Sequence, residues 1–356
     1  MRAAVLEAPA SRLVVREVTE TELGPREVLV RVGASGLCHT DLALMQMAEP
    51  VVQLPIVMGH EGAGVVEEVG REVETLRPGD RVIASWVAAC GRCFWCIRGQ
   101  AHLCSNLALS GTRAPWRLAD GREVYALTGL GTLAEVTLAS ELACVKVETD
   151  LPDEQLALIG CAVTTGVCAA IRAAPVTPGS SVAVFGCGGV GMSVIQGARI
   201  AGAEPIIAVD PVPLKREMAV RLGAIESLDP AAGDPVERVR ELTGGRGADI
   251  TFETAGRNDT ANWAVLAARR GGTTVCVGGG QPDVPMTTLE AKTIKWTLYG
   301  HADPRRDFPT LVSMVEHGML DLDAMVSRRL TLDDVNEGFD AIQRGEVIRG
   351  VVVNRT

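Results

Sequence analysis

The stretch SVAVFGCGGVG, residues 181–191, decides the fold. Val182–Phe185 reads as a strand that runs into Gly186-Cys187-Gly188-Gly189-Val190-Gly191, and the GMSVIQGARIAGA that follows reads as a helix. Gly186 permits the tight turn, Gly188 lets backbone approach a pyrophosphate, and Gly191 lets helix and strand pack closely. The unpaired amides of the helix N-terminus then face phosphate. Glycine turns are common, so the fingerprint counts only through its register. The next strand-like run, PIIAVD (205–210), ends on Asp210 nineteen residues after Gly191, where a carboxylate binds adenosine ribose hydroxyls. Asp210 also repels a 2′-phosphate, and Pro211 stands where an NADP site wants a basic residue, so the expected cofactor is NAD.

Outward from this stretch the pattern divides. ADITFETAG (248–256) and GTTVCVG (272–278) are further buried-strand runs, and WTLYG (296–300) is placed as the last strand. Helical stretches such as LKREMAVRLGA alternate with them, the signature of a parallel, doubly wound α/β sheet. Residues 1–160 instead read as short β segments broken by Gly and Pro, among them LVVREV, EVLVRVGASGL and GAGVVEEVG, and predict an all-β, barrel-like domain. The character changes near Ala157. From about 305 amphipathic helices return, and the chain ends on the strand GVVVN.

The 356 residues fit two domains. Apolar residues make up 47% and aromatics only 3%, so the cores must be aliphatic. A formal charge of −10 argues against nucleic acid and anionic membranes as partners. Met1 leads straight into a strand-like run with no signal peptide, and no apolar run reaches ~18 residues free of charge and glycine clusters, so the expected place is the cytoplasm. Ten cysteines are many for that compartment, where disulfides are unstable and metal binding is the better reading.

Four of them, Cys90, Cys93, Cys96 and Cys104, lie within fifteen residues, at a spacing that wraps a tetrahedral ion, with Gly91 and Gly99 easing the turns. Four sulfurs fill the shell, so a zinc here is structural; a redox dithiol and an iron–sulfur cluster are the alternatives. Cys38-His39-Thr40-Asp41 and Gly59-His60-Glu61-Gly62 each follow a β segment. Singly, a buried cysteine or a satisfied core histidine explains them equally well. An open catalytic zinc takes three protein ligands, and Cys161, at the junction of the inferred domains, could complete such a set.

With CHTD, GHEGAGVVEEVG, the four-cysteine lobe, GC-x-x-x-TG, GCGGVG, the strand ending in Asp210 and the closing GEVIRG, the chain resembles, nearly end to end, the zinc-containing alcohol dehydrogenases of the medium-chain dehydrogenase/reductase superfamily. The resemblance implies a GroES-like, β-rich catalytic domain from 1–162 and 301–356, a Rossmann cofactor domain from 163–300, and an active site in the cleft. It implies two zinc ions per chain, the catalytic one on Cys38, His60 and Cys161, with Glu61 and Asp41 behind the ligands and Asp41 orienting the histidine. His39 and Arg349 would meet the pyrophosphate, Lys215 with Asp210 the ribose, and Thr165 and Val190 the nicotinamide, with Val277 also in the cofactor site. Trp86, Leu109 and Trp116 would line a substrate pocket suited to primary aliphatic, allylic or benzylic alcohols; loop packing is the alternative for Trp116. Thr40 would take the alcohol proton while hydride moves to NAD. Pairing through an edge strand in MTTLEAKTIKWTLYG would make a homodimer.

Two departures stand out. Ala43 replaces the histidine that finishes the proton relay in many relatives, and Ala108 replaces an arginine characteristic of glutathione-dependent formaldehyde dehydrogenases, with Arg113 and Arg117 nearby but displaced. VDPVPLKRE and GHADPRRD resemble nicotinoproteins, which keep NAD bound and use an external acceptor. A non-catalytic protein on the same fold is a further alternative, although all seven zinc ligands and the glycine fingerprint are present.

Overall fold

The computed structural model describes residues 1–107, 111 and 113–354. The chain divides into two compact units: Met1–Cys161, Asp303–His317 and Val326 onward form one, Ala162–Ala302 and Gly318–Met325 the other.

The second unit is built on six parallel strands, in chain order Val182–Phe185, Ile206–Val209, Glu226–Leu228, Ala248–Glu253, Ala268–Cys276 and Thr293–Trp296. In space they run third, second, first, fourth, fifth, sixth. This is the doubly wound order, and its reversal falls between the first and fourth strands, where such sheets bind ligands at their carboxyl ends. The sheet buries Phe185, Ile207, Val209 and Phe252 completely or nearly so, and Val236 and Val239 of the helix Pro235–Leu242 pack with the first three of them. One strand differs from the sequence reading. WTLYG contributes only Trp296; Tyr299–His301 is a tight turn, because Gly300 (φ 64°) lies so close to the helix carrying Thr165 that a Cβ would come within 2.4 Å of the Thr165 carbonyl.

The first unit contains a small closed barrel of Arg2–Leu6, Val14–Glu20, Trp116–Leu118, Glu123–Ala126 and Ile56–Val57. A larger sheet centres on Glu27–Gly36, flanked by Glu61–Val69 and by Arg349–Val353. The antiparallel pairing of Val351–Val353 with Ala34–Gly36 is why the last strand of the chain belongs with its beginning.

The helix His39–Gln46 lies where β structure is expected, and the helix Asp153–Ala173 begins just inside the end of that region. His39–Gln46 is eight residues long, too short for a helical period to stand out. Asp153–Ala173 is long and apolar enough to cross a bilayer by length and composition, but 83% of its most apolar window is buried inside the protein, as in a core helix. Its Gly160, Val163, Thr164, Thr165 and Gly166 disfavour helix intrinsically, and tertiary packing overrides that preference. Gly318–Met325, expected with the catalytic domain, packs instead on the helix Gly189–Ile200. There the Asp321 N–H donates to Gln196 Oε1 at 2.7 Å, and Arg199 Nη2 donates to the Met319 carbonyl at 2.6 Å.

Helix–helix approach at Gly166 sets a test. A Cβ there would lie 2.4 Å from the Val190 carbonyl oxygen and 2.5 Å from Ser193 Cβ, so Gly166→Ala should lower stability by about 1–3 kcal/mol. The measurement is the urea midpoint at unchanged slope; an unaltered midpoint would show that the helices separate freely.

Candidate functional site

Cys38 ends the loop after the strand Glu27–Gly36 and caps the helix His39–Gln46, its sulfur accepting from the Thr40 N–H at 3.5 Å. Asp41, fully buried in the first turn, accepts from the Gly59 N–H at 2.9 Å through Oδ1 and stands 3.3 Å from His60 Nδ1 through Oδ2. Gly59 has φ 92°, and a Cβ would come within 2.6 Å of the Leu133 nitrogen, so only glycine admits this bend before the strand Glu61–Val69. Cys161 comes from the π-helical turn Ile159–Val163 of the core helix. The ligand atoms of Cys38, His60, Glu61 and Cys161 all lie within 4.8 Å of one another.

The electrostatics of this cluster ask for a cation. A hydrogen bond with Cys161, aided by His60, holds the Cys38 thiol well below its ordinary pKa, and the same bond with burial holds Cys161 well above it. Burial works against charge on His60, but Asp41 and Cys38 outweigh it and raise the ring. Burial lifts Glu61 to about 7 against the pull of Arg349. Glu61 Oε2 accepts from Arg349 Nη2, while Glu61 Oε1 is buried with no hydrogen-bond partner. Two thiols, an imidazole and a spare carboxylate oxygen suit a borderline-soft divalent ion such as zinc.

Arg349 is buried against Glu61, a pairing across 288 residues that no local motif signals. Among the described site residues, His39 and Thr40 are exposed on the first turn of their helix, with Ala43 exposed one turn further. Trp86 is half-buried against Val28, Val66 and Leu76. The pocket role expected of Trp116 is corrected. The residue is fully buried inside the barrel among Val5, Val18, Val57 and Val124, with Gly131 making room for its indole, so packing explains it. Leu109 and Ala108 lie outside the described residues.

Cys90, Cys93, Cys96 and Cys104 also bring their sulfurs within 4.8 Å of one another. The chain wraps them with tight turns at Cys96–Arg98 and Ala101–Leu103, and Gly91 and Gly99 both take φ 73°. Backbone donors stabilise thiolate: the Cys93 N–H reaches Cys90 Sγ at 3.3 Å, and the Cys90 N–H reaches Cys104 Sγ at 3.3 Å. Backbone hydrogen bonds, that of Ser105 foremost, bring Cys93 down to about 5, whereas burial pushes Cys96 up to about 12. None of the ten cysteines is in a disulfide. Cys144, Cys168, Cys187 and Cys276 are buried, and burial raises Cys144 to about 12 and Cys276 to about 11, as befits core thiols.

At the carboxyl edge of the parallel sheet two of the fingerprint glycines, Gly186 and Gly191, have a steric reason. Gly186 takes φ 97°; Gly188 faces open space on its side-chain side; a Cβ on Gly191 would lie 1.9 Å from the Gly186 carbonyl oxygen. Gly189 and Val190 begin the helix Gly189–Ile200, so its free amides open beside Gly188. Asp210 is buried and accepts from the Cys187 N–H at 2.7 Å and the Val212 N–H at 2.9 Å. Those two bonds fix its carboxylate beside the glycine turn. Lys215 and Thr165 are half-buried, and the Val277 N–H is tied to the Glu253 carbonyl at 2.8 Å.

Residues 24–149 match the family model of the alcohol dehydrogenase GroES-like domain, and residues 189–317 match that of zinc-binding dehydrogenase. The chain is 40% identical over 355 residues to an NDMA-dependent alcohol dehydrogenase of Amycolatopsis methanolica, covering 95% of each. It is 36% identical over 366 residues to an S-(hydroxymethyl)glutathione dehydrogenase of Escherichia coli, covering 99% of each. Among solved structures, the benzyl alcohol dehydrogenase of Acinetobacter calcoaceticus superimposes with a TM-score of 0.91 at 31% identity, over 99% of each chain.

Proposed function

The chain belongs to the zinc-containing alcohol dehydrogenases of the medium-chain superfamily, and from that premise we propose a role for each part of its site. It is an oxidoreductase that interconverts alcohols with aldehydes or ketones, and its cofactors are zinc and NAD. The proposed catalytic ligands are Cys38, His60 and Cys161. The observation that carries this is the meeting of their donor atoms, with Glu61, inside 4.8 Å. Cys90, Cys93, Cys96 and Cys104 are the proposed structural ligands.

When bound, zinc supplies a Lewis acid that lowers the pKa of the substrate hydroxyl, and NAD supplies the hydride acceptor. The chain does the rest. Asp41, anchored by the Gly59 amide, fixes the ring of His60 and leaves its other nitrogen for the metal. Glu61 and Arg349 place a matched pair of buried charges behind the ligands. Thr40, exposed at the head of its helix, takes the substrate proton, and Ala43 one turn later has no acceptor to receive it. The proton therefore leaves to solvent. Gly186–Gly191 and the following helix hold the pyrophosphate, Asp210 and Lys215 the ribose, and Thr165, Val190 and Val277 the nicotinamide side.

For substrate we infer primary aliphatic, allylic or benzylic alcohols, supported by Trp86 and by the benzyl alcohol dehydrogenase among the relatives. Glutathione conjugates are disfavoured, because Arg113 is already paired with Glu27 at 2.7 Å and Arg117 with Glu123 at 3.1 Å. A second reading, NAD kept bound and reoxidised by an external acceptor, is supported by the NDMA-dependent relative. The protein is proposed to act in the cytoplasm as a homodimer. Supporting the dimer, the edge strand Thr293–Trp296 exposes 54% of Trp296, and Met286 nearby in sequence is 84% exposed.

Four outcomes test these readings. Metal analysis should return two zinc ions per chain. Cys93→Ala should lose one and unfold earlier, since structural zinc binding is folding free energy, while Cys38→Ser should stay folded and lose NAD-linked oxidation of benzyl alcohol. One ion per chain would sink the two-site assignment. Heat-denatured pure protein should release little NAD(H); stoichiometric release would favour the bound-cofactor reading. Light scattering should read twice the 37.5 kDa chain mass, and a monomer would exclude the edge-strand pair. Finally, Ala43→His should speed pre-steady-state hydride transfer near pH 7 and change little near pH 9, where hydroxide already takes the proton, whereas Thr40→Ala should slow it at both. An Ala43→His rate equal to the parent across that range would mean another route carries the proton.

A further inference from the structure

Asp210 and Asp229 end neighbouring parallel strands. Val209 is in register with Leu228, the Asp210 N–H donates to the Leu228 carbonyl at 3.1 Å, and the next residues on both strands are aspartates at the carboxyl edge of the sheet. A cation stands between them. Arg216, from the helix Pro213–Leu222, donates through Nη1 to the carbonyls of Asp210 (2.9 Å) and Pro211 (2.8 Å), and its Nη2 lies 3.1 Å from Asp229 Oδ2. Its side chain is only 18% exposed. The other oxygen of Asp229 accepts from the Ala231 N–H at 2.9 Å, so the acid is held from its own side of the turn. Lys215, the neighbouring cation, is half-buried on the same helix.

A guanidinium near the strand-ending acid is a group that accommodates a ribose 2′-phosphate. Pro211 suggests that this site has none, yet the cation is present, supplied from the following helix and drawn aside. We propose that Arg216 and Asp229 are a second determinant of cofactor choice: Asp229 and the two carbonyls withhold Arg216 from the ribose site, so preference for NAD rests on two carboxylates. The inference depends on Asp210 being the ribose ligand, and its test separates the two claims.

The quantity to read is the ratio of NADH to NADPH dissociation constants, from fluorescence titration of the holoenzyme. Asp210→Ala should shift the ratio toward NADPH by removing repulsion. Adding Asp229→Asn, which keeps an oxygen for the Ala231 amide but releases the guanidinium, should shift it about tenfold further, the effect of one charge-assisted contact. Adding Arg216→Ala to that pair should erase the second gain and leave the first. Retained zinc and an unchanged NADH constant in Asp229→Asn alone would show that the turn still folds. A double variant equal to Asp210→Ala, or a gain that survives Arg216→Ala, would overturn the proposal with the ribose assignment intact. An unchanged ratio in Asp210→Ala itself would overturn both.

Discussion

The buried carboxylate of Asp41 is the tie on which the cluster of Cys38, His60, Glu61 and Cys161 depends. One oxygen holds the Gly59 amide and the other faces His60, so a short helix and a glycine bend, distant in the sequence, are set against each other by one fully buried side chain. An ionised carboxylate costs several kcal/mol to bury unless its lone pairs are used, and a metal-ligating histidine needs its second nitrogen fixed. Asp41 uses one oxygen for the Gly59 amide and sets the other 3.3 Å from His60 Nδ1. Cys38 follows from it, because the same helix turn that carries Asp41 is capped by the Cys38 sulfur.

A second constraint is steric. Gly191 against Gly186, Gly166 against Val190 and Gly300 against Thr165 are places where backbone meets backbone too closely for any Cβ. Together they draw the fingerprint helix, the core helix and the turn after the last strand into one block. Such contacts leave little slack, which suits a site that must hold a flexible dinucleotide in one conformation.

What could be read beforehand follows from how far apart the interacting residues are. The cysteine lobe and the glycine turn were legible because their chemistry is written within a dozen or so residues, as spacing or as a run of small residues. The parallel sheet was legible because each strand is a buried apolar run followed by a helix. Illegible features had partners far away or propensities against them: Glu61 with Arg349, Arg216 between two strand ends, and the core helix with its β-branched and glycine residues. For Trp116 the choice between pocket lining and packing turns on residues far away in the sequence. A tryptophan in a loop-like stretch looks available for a ligand until the barrel that closes around it is known.

The packing of Gly318–Met325 on the fingerprint helix bears on how such a protein can be cut and rejoined. The backbone crosses between the two units four times, after Cys161, Ala302, His317 and Met325. A gene fragment encoding 162–302 alone would strand Gln196, fully buried, without the Asp321 amide that it accepts from. Modular exchange in this architecture, whether by recombination or by the engineer, must therefore move two separated pieces of sequence as a single cassette.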